Sequence, residues 1–423
     1  MARFNPAAPL NVPTEHRPVI LAIFVLTYAG LALGRVPGLR LNRTGIALLG
    51  AIAMVLASGT TTAQTIASIN WPTIILLFSF FVISAQLRLS GFYDRVAVAL
   101  SAQLERPATF LALLVAATAG LSAFLNNDIV CYALTPVVGV ALARRRVDPV
   151  PFLVAIAAAS NVGAAATLIG NAQNMMIGSL AGLSFGRYLG WALLPVLAAL
   201  AVVYLVARFA CARSAPFALA ADAPAAPPLV PFDAYHAGKG IVILAAVIGL
   251  FFTSVPREVT VLVAAGIHLL STKFRTDQLL ALVDWPILLL FMALFVVSGT
   301  FQATGYTEQL VQGMQARGFD ATRPLNEVGL TAGLSVLISN SAAVMLLVRM
   351  VPIAHAGTAY VMAVANSFAG NAVVTASVAN LIVIQQAHRA GIPLSFLRFL
   401  RLGLPITLAT LALLVVWAHV AAQ

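Results

Sequence analysis

The chain has 423 residues, of which 61% are hydrophobic and 9% charged, with a formal net charge of +11. Soluble domains carry roughly 25% charged residues, so this composition excludes a soluble globular protein and marks a polytopic membrane protein. The basic residues sit between apolar segments, where topology signals belong, and this excludes nucleic acid as the partner of the positive charge.

Residues 1–17 form a polar N-terminal tail. No cleavage site follows the apolar stretch 19–33, so it reads as a retained first helix. Membrane elements are predicted at 18–34, 44–58 and 71–87, with an interfacial helix at 94–104. Two apolar runs then meet at Asn126-Asn127-Asp128. Each run is shorter than the about 20 residues a bilayer requires. The pattern predicts a re-entrant hairpin over 107–143. The next segment, 149–180, is interrupted by Gly163, Gly170 and Asn171 and reads as a broken helix. A last span at 188–208 closes a first half, 18–208. Residues 209–239 are rich in Ala and Pro and read as a linker. The second half, 240–423, contains predicted spans at 240–254, 258–271 and 285–300 and an interfacial stretch at 307–316. A second hairpin, 325–350, has its tip at Ser339-Asn340-Ser341. A second broken helix, 358–387, and a span at 399–419 follow.

The two halves repeat. Trp71-Pro72 recurs as Trp285-Pro286, and Gly91-Phe92-Tyr93-Asp94 as Gly305-Tyr306-Thr307-Glu308. Asn127 matches Asn340. Residues 159–177 align with 365–383, which places Asn174 on Asn380. Paired broken segments in repeated halves are a transporter pattern. The expected fold class is an all-α polytopic membrane protein with two inverted repeats. Each repeat has five transmembrane helices plus one re-entrant hairpin, with broken helices at the site. The odd number of spans inverts the second half. Arginine and lysine concentrate in loops on one side, among them Arg35, Arg88, Arg144, Arg145, Arg146, Lys239 and Arg275. The bias predicts periplasmic termini and a cytoplasmic linker, 209–239, in a bacterial inner membrane.

Helix ends leave unpaired N–H or C=O groups, which attract anions and cations respectively. Carbonyl, amide and hydroxyl oxygens also suit a hard cation such as sodium. The tips and breaks supply such groups. The candidate substrate- and ion-binding residues of the first half are Asn126, Asn127, Asp128, Ser160, Asn161, Thr167, Gly170, Asn171 and Asn174. Those of the second are Ser339, Asn340, Ser341, Asn366, Ser367, Asn371, Thr375, Ser377 and Asn380. The competing role for each amide is packing between helices. Asp128 reads as the one acid deep between apolar limbs, every other acid falling in tails, loops, interfacial helices or span ends. It is a candidate proton carrier or cation ligand, and it also suits an N-cap. His268 and Cys131 read as packing residues, Arg187 and Arg398 as snorkelling, and Arg349 as a surface arginine. No intramembrane-enzyme motif is found. No cofactor is expected beyond a possible sodium ion.

At these residues the chain resembles the ion transporter superfamily, which includes divalent-anion/sodium symporters, citrate carriers and arsenite permeases. Asn126-Asn127-Asp128 and Ser339-Asn340-Ser341 stand where that superfamily carries its hairpin tips. The run Ala166-Thr167-Leu168-Ile169-Gly170-Asn171-Ala172-Gln173-Asn174 stands at its signature break and is most similar to uncharacterised bacterial anion permeases. Ala172 and Gln173 replace two signature prolines, and Ser341 replaces a threonine. The resemblance implies a secondary active transporter for a small anion, coupled to sodium or protons, a homodimer working by an elevator. Asn127-Asp128 is more similar to the arsenite permeases, so arsenite/antimonite efflux is an alternative. A cation/proton antiporter and a passive anion channel are the others.

Overall fold

The computed structural model describes residues 12–34, 38–217, 228–353 and 355–421, and among them there is no strand. Most of the polar tail, Arg35, and the middle of the linker, 218–227, lie outside the described residues. The first half contains α1 (Arg17–Leu33), α2 (Arg43–Ser58), α3 (Thr62–Ser68), α4 (Trp71–Leu89), α5 (Phe92–Ser101), α6 (Pro107–Phe124), α7 (Asn127–Arg144), α8 (Val150–Ala164), α9 (Ala172–Leu180) and α10 (Phe185–Arg213). The second contains α11 (Ala234–Leu250), α12 (Arg257–Leu269), α13 (Thr276–Leu280), α14 (Trp285–Gln302), α15 (Tyr306–Ala316), α16 (Pro324–Ile338), α17 (Asn340–Met350), α18 (Ala356–Ala369), α19 (Val378–Arg389) and α20 (Phe396–Ala421). The helices α1, α4, α6, α10, α14 and α20 are each long and apolar enough to cross a membrane.

Matching residues start matching elements by the same chemistry. Asn70 Oδ1 accepts from Thr73 N at 2.9 Å, and Asp284 Oδ1 accepts from Ile287 N at 3.1 Å, so α4 and α14 carry the same N-cap. Each is followed by Trp-Pro, and proline suits the first helical turn, where its missing N–H costs nothing. Trp71 and Trp285 donate their indole N–H to the carbonyl five residues earlier, at 3.3 and 3.0 Å. Those carbonyls lie in the last turns of α3 and α13, two short helices that the hydropathy pattern does not reveal. The capping pair Thr61 and Gln64 was the local signal for α3.

Two expectations on length are corrected. The limbs of the first hairpin have 18 residues each, about 27 Å at 1.5 Å per residue. They are longer than their uninterrupted apolar runs, because α7 carries Asn127, Asp128, Thr135 and Pro136 within the helix. The linker is shorter than 209–239. α10 continues to Arg213, whose guanidinium lies 3.7 Å over the Phe209 ring. α11 begins at Ala234, because Asp233 Oδ1 caps it by accepting from His236 N at 3.0 Å.

Packing between elements exchanges the halves. α2 packs on α14, and α12 on α4. α6 packs on α8, and α16 on α18. α7 packs on α19, and α17 on α9, while α10 packs on α20 and α8 on α18. The second limb of each hairpin is therefore held by the broken segment of the other half. This places both tips and both breaks at the centre of the molecule.

Candidate functional site

Each break is fastened by one asparagine. Asn174 Nδ2 donates to Ala164 O at 3.2 Å and Thr167 O at 3.0 Å. Asn380 Nδ2 donates to Gly370 O at 2.6 Å and Val373 O at 3.0 Å. In both halves the acceptors lie ten and seven residues before the asparagine. Carbonyls freed at a helix end need donors, and these amides supply them. Both side chains are fully buried behind the site. Gly170 is required by contact, since a Cβ there would stand 2.3 Å from Ala164 O.

Each tip is tied to the first arm of its own break. Ser160 Oγ donates to Asn127 O at 3.2 Å, and Asn366 Nδ2 donates to Asn340 O at 3.1 Å. The two breaks also grip each other. Ser377 Oγ donates to Asn161 Oδ1 at 2.9 Å, and Asn171 Nδ2 donates to Ser367 Oγ at 3.0 Å. Aligned across the repeat, Asn161 matches Ser367 and Asn171 matches Ser377, so these two bonds are one bond drawn twice. Asn161 is a hub. Its Nδ2 also donates to Asn371 Oδ1 at 2.9 Å and Asn380 Oδ1 at 3.1 Å, while Asn127 Nδ2 reaches its Oδ1 at 3.4 Å.

The cavity in front of this network is lined by Asn126, Asn127, Asp128, Asn161, Asn171, Ser339, Asn340, Ser341, Ser367 and Ser377. Asn127 and Asn340 are each 7% exposed, so the two tips present their asparagines to the same degree. Ser160, Thr167, Gly170, Asn174, Asn366, Asn371 and Asn380 stand behind the lining. Thr167 donates to Ala123 O and so fastens α6 to the first break. Thr375 is exposed and contributes its carbonyl, not its hydroxyl.

Four helices begin at the cavity: α7 at Asn127, α9 at Ala172, α17 at Asn340 and α19 at Val378. Asn126 Oδ1 takes the N–H of Asp128 at 2.8 Å, and Asn171 Oδ1 takes that of Asn174 at 2.8 Å. α17 and α19 have no side-chain cap. Ser339, between the second limbs, has φ 79°, a conformation that L side chains rarely adopt.

Arg43 and Phe81 escaped the sequence reading of the site, and Gln173 stands among the amides of the first break that the sequence singles out. Arg43 lines the cavity, and its Nη2 donates to Thr375 O at 3.0 Å. As sequence it is one more basic residue of a loop, and its partner is 332 positions away. Gln173 lines the cavity and its Nε2 donates to Ser341 Oγ at 2.7 Å. It stands where the resemblance would place a proline. Phe81 completes an apolar wall with Ile287 and Leu290.

Two side chains differ from expectation. Glu327 is not at an exposed span end: it is 1% exposed within α16. Asp128 is thus not the one acid buried among apolar limbs. Arg349 is half-buried, not a surface arginine, and its Nη1 donates to Gln302 Oε1 at 2.6 Å across α17 and α14.

A family model described as citrate transporter matches residues 21–369. An uncharacterized transporter of Mycobacterium tuberculosis is 30% identical over 434 residues, covering 94% of this chain and 97% of that protein. A silicon efflux transporter of Oryza sativa subsp. japonica is 33% identical over 171 residues, 40% of this chain and 35% of its own length. The YdaH transporter of Alcanivorax borkumensis shares the fold, with a TM-score of 0.63 at 14% identity over 96% of this chain and 98% of that one.

Proposed function

This chain belongs to the citrate transporter family, and on that premise we propose that it is a secondary active carrier for a small anion in a bacterial inner membrane. The observation that carries this reading is the convergence of four helix N-termini and Arg43 on one cavity. Helix N-termini attract negative charge through their unpaired N–H groups and dipoles, and in carriers such half-helix ends meet anionic groups near the midplane. The uncapped starts of α17 and α19 leave first-turn donors to the occupant.

We assign the coupling ion, sodium or a proton, to the first tip, where Asp128 is the only acid lining the cavity among the described residues. Hard cations take oxygen ligands, and Asn126, Asn127 and Asn161 line the same cavity as Asp128. The exchanged packing of the halves supports an inverted repeat. The arginine bias supports periplasmic termini. An elevator motion and a homodimer complete the reading on the family's pattern. A second reading, efflux of a small hydroxide such as arsenite, is favoured by the likeness to the silicon efflux transporter of Oryza sativa.

The test is a thermal-shift screen of the full chain with citrate, phosphate, sulfate, arsenite and silicic acid, with and without sodium. At least one charged anion is expected to raise the unfolding temperature. Arg43→Gln is expected to weaken that ligand about tenfold, the loss of one charge-assisted contact. A response to silicic acid or arsenite alone selects the second reading. No response to any anion, or an equal response in Arg43→Gln, overturns the anion site.

A further inference from the structure

The first limb of the second hairpin carries a buried polar file. Glu327, Thr331 and Ser335 are 1%, 0% and 0% exposed. Their four-residue spacing puts them on one face of α16, about 6 Å apart along the axis. Ser335 Oγ accepts from Asn366 Nδ2 at 2.8 Å, and the same Nδ2 donates to Asn340 O at 3.1 Å. The file therefore runs from the base of the hairpin to its tip. Glu327 Oε1, Thr331 Oγ1, Asn366 Oδ1 and Asn340 Oδ1 are all buried without a partner among the described residues. Buried polar groups are normally satisfied, and a row of orphans marks where protons or bridging water are held.

The first hairpin is the control. Counting back from Asn127 as from Asn340, its limb α6 carries Leu114, Thr118 and Ser122, all fully buried. Both hydroxyls recur, and both are unpartnered among the described residues. The acid does not recur. A carboxyl in place of leucine, in an apolar setting, is costly unless it is hydrogen-bonded, paired or protonated, and unpaired acids within membrane segments mark ion or proton pathways.

The elements packed on α16 are α1, α17, α18, α20 and the turn Val374–Ala376. Their titratable or charged groups are Arg17 and Tyr28, Arg349, Tyr360, and Arg398, Arg401 and His419. None forms an ion pair or hydrogen bond with Glu327 among the described residues. Arg349 is engaged by Gln302. Nearby on the same segment, Arg323 pairs with Asp320 at 3.7 Å.

We propose that Glu327, Thr331 and Ser335 form a proton-binding file from the base of the second hairpin to the cavity, with Glu327 as the group that takes up and releases the proton. The step adds one proton to a carboxylate oxygen and returns it from the same oxygen. This rests on the carrier reading and gives it a second titratable group, distinct from Asp128.

The experiment uses the full chain in liposomes and follows the carboxyl C=O stretch by infrared difference spectroscopy as pH is lowered, then after transfer to deuterium oxide. The wild type is expected to show a titrating carboxyl band that Glu327→Gln loses and Asp128→Asn keeps. Thr331→Val, which preserves shape, is expected to keep the band and slow its deuterium shift. Survival of every band in Glu327→Gln overturns the proposal. So does an unchanged exchange rate in Thr331→Val, and that arm decides alone if Glu327→Gln does not fold. No anion is used, so failure of the anion screen leaves this result standing, and loss of the band leaves anion binding at Arg43 standing.

Discussion

The two halves of the molecule agree in how they hold the backbone and differ in where they put charge. Asn174 and Asn380 fasten their breaks to carbonyls at identical offsets. Ser160 and Asn366 tie down the two tips in the same way. Against this shared frame, Asp128 faces the matched Ser341 at the tips, and Glu327 faces the matched Leu114 at the limbs. Each hairpin thus carries one unmatched acid, at its tip in the first and at its base in the second. The difference teaches that the hydrogen-bonded breaks are structure, duplicated because both halves need it. The acids are where the halves differ, and the proposed function assigns them to ion coupling.

The largest expected effect breaks the contact between halves. Asn161→Ala removes the hub shared by Asn127, Asn371, Asn380 and Ser377. It leaves several buried groups unpaired and should cost about 3 kcal/mol. A fall in unfolding temperature in detergent checks it, and an unchanged value would show that the halves are not joined there. Smaller, and sharper as a test of the symmetry, is the pair Asn174→Ala and Asn380→Ala. Each orphans two carbonyls and removes one further bond, Asn174 Nδ2 to Tyr188 Oη or Asn161 Nδ2 to Asn380 Oδ1, and should cost about 1–2 kcal/mol. The two effects should be equal, and markedly unequal losses would mean that one break does more than hold its shape.

The smallest effect concerns how the halves begin. His16, before α1, makes no capping bond, whereas Asp233 caps α11. The His236 backbone N–H, and then the Lys273 ammonium at 2.5 Å, hold the Asp233 carboxyl below its ordinary value. A depressed carboxyl gives stability that is complete above the unfolded value of about 3.9 and is lost as pH falls below it. Acid should therefore loosen the start of the second half first. Amide exchange at residues 234–240 should speed up below about pH 4, and Asp233→Asn should show no such change.

Much of the architecture was legible because a membrane leaves few choices. Runs of apolar residues gave the spans, and polar groups inside them gave the tips and breaks. Trp-Pro and the paired asparagines gave the repeat. The direction of each amide was not legible. Asn174 and Asn171 are three positions apart in one motif, yet one fastens carbonyls behind the site and the other caps α9 at the cavity. Only packing separates these roles. Arg43 was out of reach for a related reason: nothing local says that the start of α2 meets the second break. Glu327 was misread because it lies three residues after Pro324, where a span end is the ordinary expectation. Its burial within α16 decides otherwise. The short α3 and α13 were missed because seven and five residues show no hydropathy period.

In the proposed function the cavity between the tips is a carrier site and Asp128 is its coupling group. Asp128→Asn keeps the shape and can still begin α7, so it separates coupling from capping. The direct measurement is transport in proteoliposomes of the anion that gives the largest thermal shift, in two modes. The mutant should fold and should still exchange labelled for unlabelled anion across the membrane. It should no longer accumulate the anion against its gradient under either a proton or a sodium gradient. Accumulation by Asp128→Asn equal to that of the wild type would contradict the claim and leave Asp128 only a helix start.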